Sequence, residues 1–202
     1  MTISRERLVR LDEILLDRFD AEVRRGETAA GHHVTCHLGC TECCIGPFEI
    51  SALDAARLRR GLANLPVQMA RLVEKRARTQ WDYLRPSFPG DTSTGFLADD
   101  DRARESFCET FASIPCPVLD PGTGACLLYA HRPLACRSFG LPVVQEDERL
   151  PPCRLNFTNA GECDVRRATI EPDPEYLEGD LIALLDHDAE TVIAAAIALG
   201  DR

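Results

Sequence analysis

The sequence predicts a mainly α fold with a small β-hairpin, in which helices flank a loop-rich centre organised by metal. Three observations carry that expectation. Apolar residues recur at helical spacing toward both ends, Pro, Gly and polar residues crowd the middle, and all ten cysteines fall between residues 36 and 163. The 202 residues suffice for an independent core. A composition of 45% hydrophobic and 28% charged residues is that of a folded globular protein. The chain therefore reads as one domain over residues 1–202. It holds an N-terminal helix within 1–30, a cysteine-cluster region over 33–155 and acidic C-terminal helices over 168–202.

Leu8, Leu11, Ile14, Leu15, Phe19 and Val23 recur at three- and four-residue spacing, which gives the N-terminal helix one buried stripe, with Gly26 as its expected stop. Ser51 followed by Asp54 is a capping-box-like start for a second helix reaching about Asn64. Pro66 suits the first turn of a third, whose apolar face is Met69, Leu72, Val73, Trp81 and Leu84 and which Pro86 and Pro89 stop. The following stretch to about Arg104, rich in Pro, Gly, Ser and Thr and carrying Asp99, Asp100 and Asp101, reads as a loop. Residues 117–119 and 125–129 flank Asp120-Pro121-Gly122-Thr123-Gly124, turn chemistry that predicts the hairpin. Residues 174–200 regain helical spacing. Within 171–190 lie eight acidic residues and no Lys or Arg, a solvated acidic face whose other use is docking a basic partner.

A formal net charge of −10, from 23 basic and 33 acidic residues, repels phosphate backbones and argues against nucleic acid as a general partner. Arg5, Glu6, Arg7, Asp12, Glu13 and Asp17 interrupt the opening stretch, which lacks the apolar segment of a secretory signal. The longest apolar run, 192–199, is too short to span a membrane, so the expected setting is the cytoplasm, without membrane association. Abundant alanine, with Lys75 the only lysine, is a bias of high-GC bacterial genomes.

In a reducing compartment, so many thiols point to metal or to thiol chemistry rather than disulfides. Cys36, Cys40, Cys43 and Cys44 put four of them within nine residues in a Thr, Glu and His context, and Gly39 lets that loop bend. Metal ligation explains this density better than packing does. Cys36, Cys40 and Cys43 have the three-corner spacing of radical-SAM enzymes, but the succession of βα units that class needs is missing. Bacterial ferredoxin spacing is one residue shorter in its first gap, and a zinc ribbon needs a second C-x2-C pair. His32, His33 and His37 flank the run, and His131 lies between Cys126 and Cys136. No nucleophile elbow, P-loop or dinucleotide fingerprint occurs.

Further along stand Cys116-Pro117, the string Cys126, Tyr129, Arg132-Pro133, Cys136-Arg137 and Phe139, and then Cys153. With the Cys36–Cys44 run, these resemble the YkgJ-like cysteine-cluster proteins over about residues 33–155. That family carries a CxxCxxCC domain described as zinc- or iron-chelating and often regarded as an Fe–S oxidoreductase. Similar sequence occurs in flagellin lysine N-methylases. Here the first gap holds three residues where the family name implies two. The resemblance implies eight metal ligands, Cys36, Cys40, Cys43, Cys44, Cys116, Cys126, Cys136 and Cys153, and leaves over Cys108 and Cys163. Eight thiolates suffice for one [4Fe–4S] cluster or zinc plus a second metal. The implied protein is redox-related, holding an iron–sulfur cluster or zinc or iron ions and serving an unidentified redox or protein partner. A structural zinc scaffold and a protein lysine N-methylase are the alternatives.

Arg137 directly follows Cys136 in a turn that Pro133 opens, which makes it the candidate to lie over bound sulfurs, with Arg132 and Arg154 nearby in sequence. The eight thiols are expected to converge, and the centre to have too few apolar residues for burial alone to order it.

Overall fold

The computed structural model describes residues 4–145, 148–185 and 187–200. In chain order these form α1 (Arg5–Ala30), β1 (Glu49–Ile50), α2 (Ala52–Asn64), α3 (Val67–Leu84), β2 (Gly90–Asp91), β3 (Phe96–Leu97) and α4 (Asp101–Thr110). There follow α5 (Leu134–Ser138), β4 (Val143–Gln145), β5 (Glu148–Leu150), α6 (Glu162–Ala168), α7 (Leu177–Ile182), β6 (Thr191–Val192) and α8 (Ile193–Leu199). The fold is mainly α with small antiparallel sheets, as the helical spacing predicts. Two compact units share the chain: Met1–His37 with Leu134–Asp186, and Leu38–Pro133 with His187–Arg202. No helix among the described residues is long and apolar enough to cross a membrane.

In the first unit the Ser4 hydroxyl accepts from the Arg7 N–H at 3.3 Å and starts α1, whose Leu15, Phe19 and Val23 are buried. Ile14, assigned to that stripe by spacing, is instead exposed, and Asp12 is buried. Nor does α1 stop at Gly26. It runs on to Ala30 and ends at Gly31, whose φ is +54°. Gly26 serves close packing: a Cβ there would fall 2.4 Å from Ile170 Cγ2 and 3.1 Å from the Ala168 carbonyl oxygen. The helix thus uses the glycine for its contact with the end of α6. β4 and β5 pair antiparallel, Val143 opposite Leu150, and Val143 also bridges to Ile170. The Asp173 carboxylate accepts from the N–H groups of Leu177 and Glu178, each at 2.9 Å, and starts α7.

The second unit has a four-stranded sheet in the order β1-β6-β3-β2, each strand two residues long. The stretch from 174 to 200 is therefore not helical throughout. β-branched Thr191 and Val192 pair with Ile50 and Glu49, and helix resumes only at Ile193. Two other sequence expectations change here. The segment after Pro86 contains the β2–β3 hairpin and the start of α4, where the Asp100 carboxylate accepts from the Ala103 N–H at 3.0 Å. The acidic triplet is thus a helix start, satisfying free amides at the positive end of the helix. The hairpin expected around residues 120–124 shrinks to a single antiparallel bridge, Leu119 to Cys126.

α2 begins at Ser51, whose hydroxyl accepts from the Asp54 N–H at 3.2 Å, while the Asp54 carboxylate pairs with the buried Arg57. Both α2 and α3 pack on α8. Leu58, Val73, Ala77, Leu128, Ile193 and Ile197 form one buried cluster, and Trp81, Phe88, Phe107 and Phe111 form an adjoining aromatic one. Each fully buried large side chain contributes about 1.5–3 kcal/mol. α2, α3 and α8 thus have an apolar core of their own.

Candidate metal centre

Main-chain pairing assembles the thiols of the second unit. The Cys116 N–H donates to the Cys44 carbonyl at 2.7 Å, the Gly46 N–H donates to the Ile114 carbonyl at 2.6 Å, and Ile45 bridges antiparallel to Pro115. Three residues beyond Cys116, the bridge from Leu119 to Cys126 returns the chain. Gly39, at φ +97°, turns the first cysteine run, as its position there predicts. Cys43 and Cys44 place their sulfurs 4.0 Å apart. Cys116 is only 7% exposed and belongs to the apolar cluster of α2, α3 and α8, against which Cys44 and Cys126 also pack.

Four of these thiols act on one another. The Cys43 thiol is lowered to about 6, first by the hydrogen bond it receives from Cys44 and further by the positive charge of Arg132. Cys44 is pushed up by donating that bond, by burial, and by charge on Cys43, Cys116 and Cys126. Burial pushes Cys116 up to about 12, and charge on Cys126 and Cys43 adds to the effect. Cys126 is raised by burial while Arg132 opposes the rise. Such a group resists holding several thiolates unless a cation joins it.

Zinc and iron are the cations that all-sulfur donor sets select, so the chemistry of the set fits. The 4.0 Å between Cys43 and Cys44 sulfurs is close to the edge, about 3.8 Å, of a tetrahedron with 2.3 Å metal–sulfur bonds. As the side chains stand, no group of three or more His, Cys, Asp or Glu among the described residues is arranged to hold an ion. Ligation therefore requires thiols to rotate inward.

The eight cysteines expected as ligands divide between the units. Cys40, Cys43, Cys44, Cys116 and Cys126 belong to the second, and Cys36, Cys136 and Cys153 to the first. Arg137, also in the first, is buried and donates from one guanidinium nitrogen to both carboxylate oxygens of Asp20, at 2.8 and 2.7 Å. Arg132 is the arginine whose charge reaches Cys43 and Cys126, and its guanidinium lies 3.8 Å over the Tyr129 ring.

Among the histidines, His33 faces Asp164 at 3.8 Å and stacks on Phe157, and His187 lies against Phe96. His131 packs over Gly61 of α2. Cys108 is 3.8 Å from both the Pro47 carbonyl and Glu49, and Cys163 is 3.3 Å from an Arg166 nitrogen. One residue the sequence reading passed over is Asn156, whose amide nitrogen lies 3.5 Å from the Cys36 sulfur. Its only signal in the sequence is a place three residues after Cys153.

The fold defines a mainly helical, cysteine-rich protein. The chain belongs to the CxxCxxCC family: residues 35–154, more than half of its length, match the family described as "Putative zinc- or iron-chelating domain". No curated protein and no solved structure matches the chain.

Proposed function

We propose that this protein holds iron, as an iron–sulfur centre in redox service, through Cys43, Cys44, Cys116 and Cys126. Cys40 is the further donor of the same unit, and Cys36, Cys136 and Cys153 form a second thiol group in the first. The observation that carries the reading is main-chain pairing that sets Cys44 beside Cys116, with the Cys43 and Cys44 sulfurs 4.0 Å apart and the ionisation of Cys44, Cys116 and Cys126 opposed by burial and neighbouring thiolate charge. A bound iron–sulfur centre supplies a site for one electron at a time. The chain's own residues hold it and limit its contact with water: Cys116 from the apolar core, Cys43 from the half-exposed loop. Arg132 offsets part of the accumulated negative charge.

A zinc scaffold is the second reading, because four thiolates close a tetrahedral structural zinc site. Purification without oxygen followed by metal and acid-labile sulfide analysis tests both. Iron with matching sulfide is the expected result. Stoichiometric zinc without sulfide selects the scaffold, and a chain that binds neither metal overturns chelation itself.

A further inference from the structure

We infer that Asn156 is a positioning residue that aims the Cys36 thiol for the second thiol group. This rests on the reading of Cys36, Cys136 and Cys153 as ligands. Asn156 is 4% exposed, and its side chain bonds three residues, Thr35, Cys36 and Gly140. Its Nδ2 donates to the Gly140 carbonyl at 2.8 Å and to the Cys36 sulfur at 3.5 Å. Its Oδ1 accepts from the Thr35 N–H at 2.9 Å and from the Thr35 hydroxyl at 3.1 Å. The Asn156 N–H donates to the Cys153 carbonyl at 2.8 Å.

The partners fix which end of the amide is which. The Thr35 N–H can only donate, so it faces oxygen, and the Gly140 carbonyl can only accept, so it faces nitrogen. The direction of the N–H toward sulfur is therefore set by main-chain groups. One residue joins three stretches, each with a candidate ligand: its side chain bonds Thr35-Cys36 and Gly140, four residues after Cys136, and its main-chain N–H donates to the Cys153 carbonyl.

Two backbone features keep it there. Gly140 has φ +108°, and a Cβ on it would fall 3.0 Å from Asn156 Nδ2 and 3.2 Å from the Cys36 sulfur. Phe157, the next residue, is held at φ +56°, a conformation unfavourable for a residue with a side chain, and its N–H donates to the His33 carbonyl at 2.8 Å. The backbone carries this strain where it presents Asn156 to the thiol. An N–H aimed at sulfur orients the lone pairs of the ligand atom.

Cobalt(II), as a spectroscopic substitute for zinc, tests the assignment in the full chain. Asn156→Asp keeps the size and the acceptor for Thr35 but removes the donor. It should lower the thiolate-to-cobalt absorbance per metal to the level of Cys36→Ser and weaken cobalt binding about tenfold. Thr169→Val, which removes a hydroxyl bond to the Val165 carbonyl outside the Asn156 network, should leave both readings unchanged. Should Asn156→Asp fail to fold by circular dichroism, Asn156→Ser, too short to reach the sulfur, replaces it with the same expectation.

Wild-type absorbance and cobalt affinity in the Asn156 variant, or equal losses in Thr169→Val, overturn the positioning role and leave chelation standing. Failure of the wild-type chain to form any cobalt–thiolate band overturns both.

Discussion

The Cys116 N–H donates to the Cys44 carbonyl at 2.7 Å, so a thiol of the first cysteine run and one from the middle of the chain are neighbours through main-chain pairing alone. Their proximity does not wait for metal. Cys44→Ser and Cys116→Ser should each lose most of the bound metal while keeping helical content, because the pairing survives either change. Cys108→Ser and Cys163→Ser should keep the wild-type metal count. Elemental analysis of the purified variants checks all four, and full metal retention in Cys116→Ser would remove it from the ligand set.

Gly26 decides how closely α1 approaches the chain that leaves α6. In an exposed helix interior Gly→Ala would gain about 1 kcal/mol. Here the added Cβ would stand 2.4 Å from Ile170 Cγ2 with the Ala168 carbonyl behind it at 3.1 Å, and overpacking of that kind costs about 1–3 kcal/mol. Gly26→Ala should therefore lower the urea midpoint. A raised midpoint would mean that Ile170 turns aside freely.

That glycine also shows what the sequence could and could not reveal. Apolar spacing located α1 and α3, and the Ser51 start of α2 follows from local capping chemistry. Gly26 reads locally as a stop, yet its use is a contact with residues far along the chain, which spacing does not contain. Asp100 reads as part of a loop for a similar reason, since the apolar face of α4 amounts to one buried residue, Phe107. At the site, the cysteine run and the Cys116, Cys126 and Cys136 positions were visible because thiols are scarce and their spacing carries meaning. Asn156 was invisible because an asparagine in a Pro- and Asn-rich stretch is the usual content of a turn. Arg137 was placed by adjacency to Cys136, whereas its bond to Asp20 depends on how α1 packs on α5.

Cys108 and Cys163 should differ in reactivity. Burial and the Glu49 carboxylate raise the Cys108 thiol above its ordinary value, whereas Cys163 is exposed. At pH 8 iodoacetamide should label Cys163 first, with Cys108 slower by about tenfold. A raised thiol pKa in the folded chain stabilises it below the unfolded value, and that contribution is lost as pH rises through the folded one. Cys108 labelling should thus accelerate only in the alkaline range, and Glu49→Gln should bring the acceleration to lower pH. Mass-mapped labelling against pH reads this directly, and equal rates at pH 8 would contradict it.

The Arg137 side chain is 4% exposed and bonded to Asp20, whose side chain is 33% exposed. Arg137→Ala leaves a carboxylate that water can partly reach, so the loss should be moderate, about 2 kcal/mol by urea unfolding. Arg137→Lys should recover part of it, because one guanidinium nitrogen makes both bonds to Asp20 and an ammonium on a differently shaped stem can supply a single donor. A second readout separates this role from one at the metal. A lowered reduction potential in the iron-loaded Ala variant, with stability unchanged, would assign the guanidinium to the bound sulfurs instead of to Asp20.

Removing metal with a chelator should affect the second unit unevenly. α2, α3 and α8 enclose Leu58, Val73, Ala77, Ile193 and Ile197, and burial of such side chains holds them without a cation. The segments around residues 38–48 and 112–128 have a few main-chain bonds, two isolated bridges and thiols that repel one another once ionised. Removal of a cation leaves that repulsion in place and should open these segments first. Limited proteolysis should therefore cut within them after chelation, while far-ultraviolet circular dichroism keeps most of its helical signal. Collapse of the helical signal on chelation would show that the α2, α3 and α8 core depends on metal after all. Unchanged protease resistance in the two cysteine segments would show that main-chain pairing alone is sufficient to hold them.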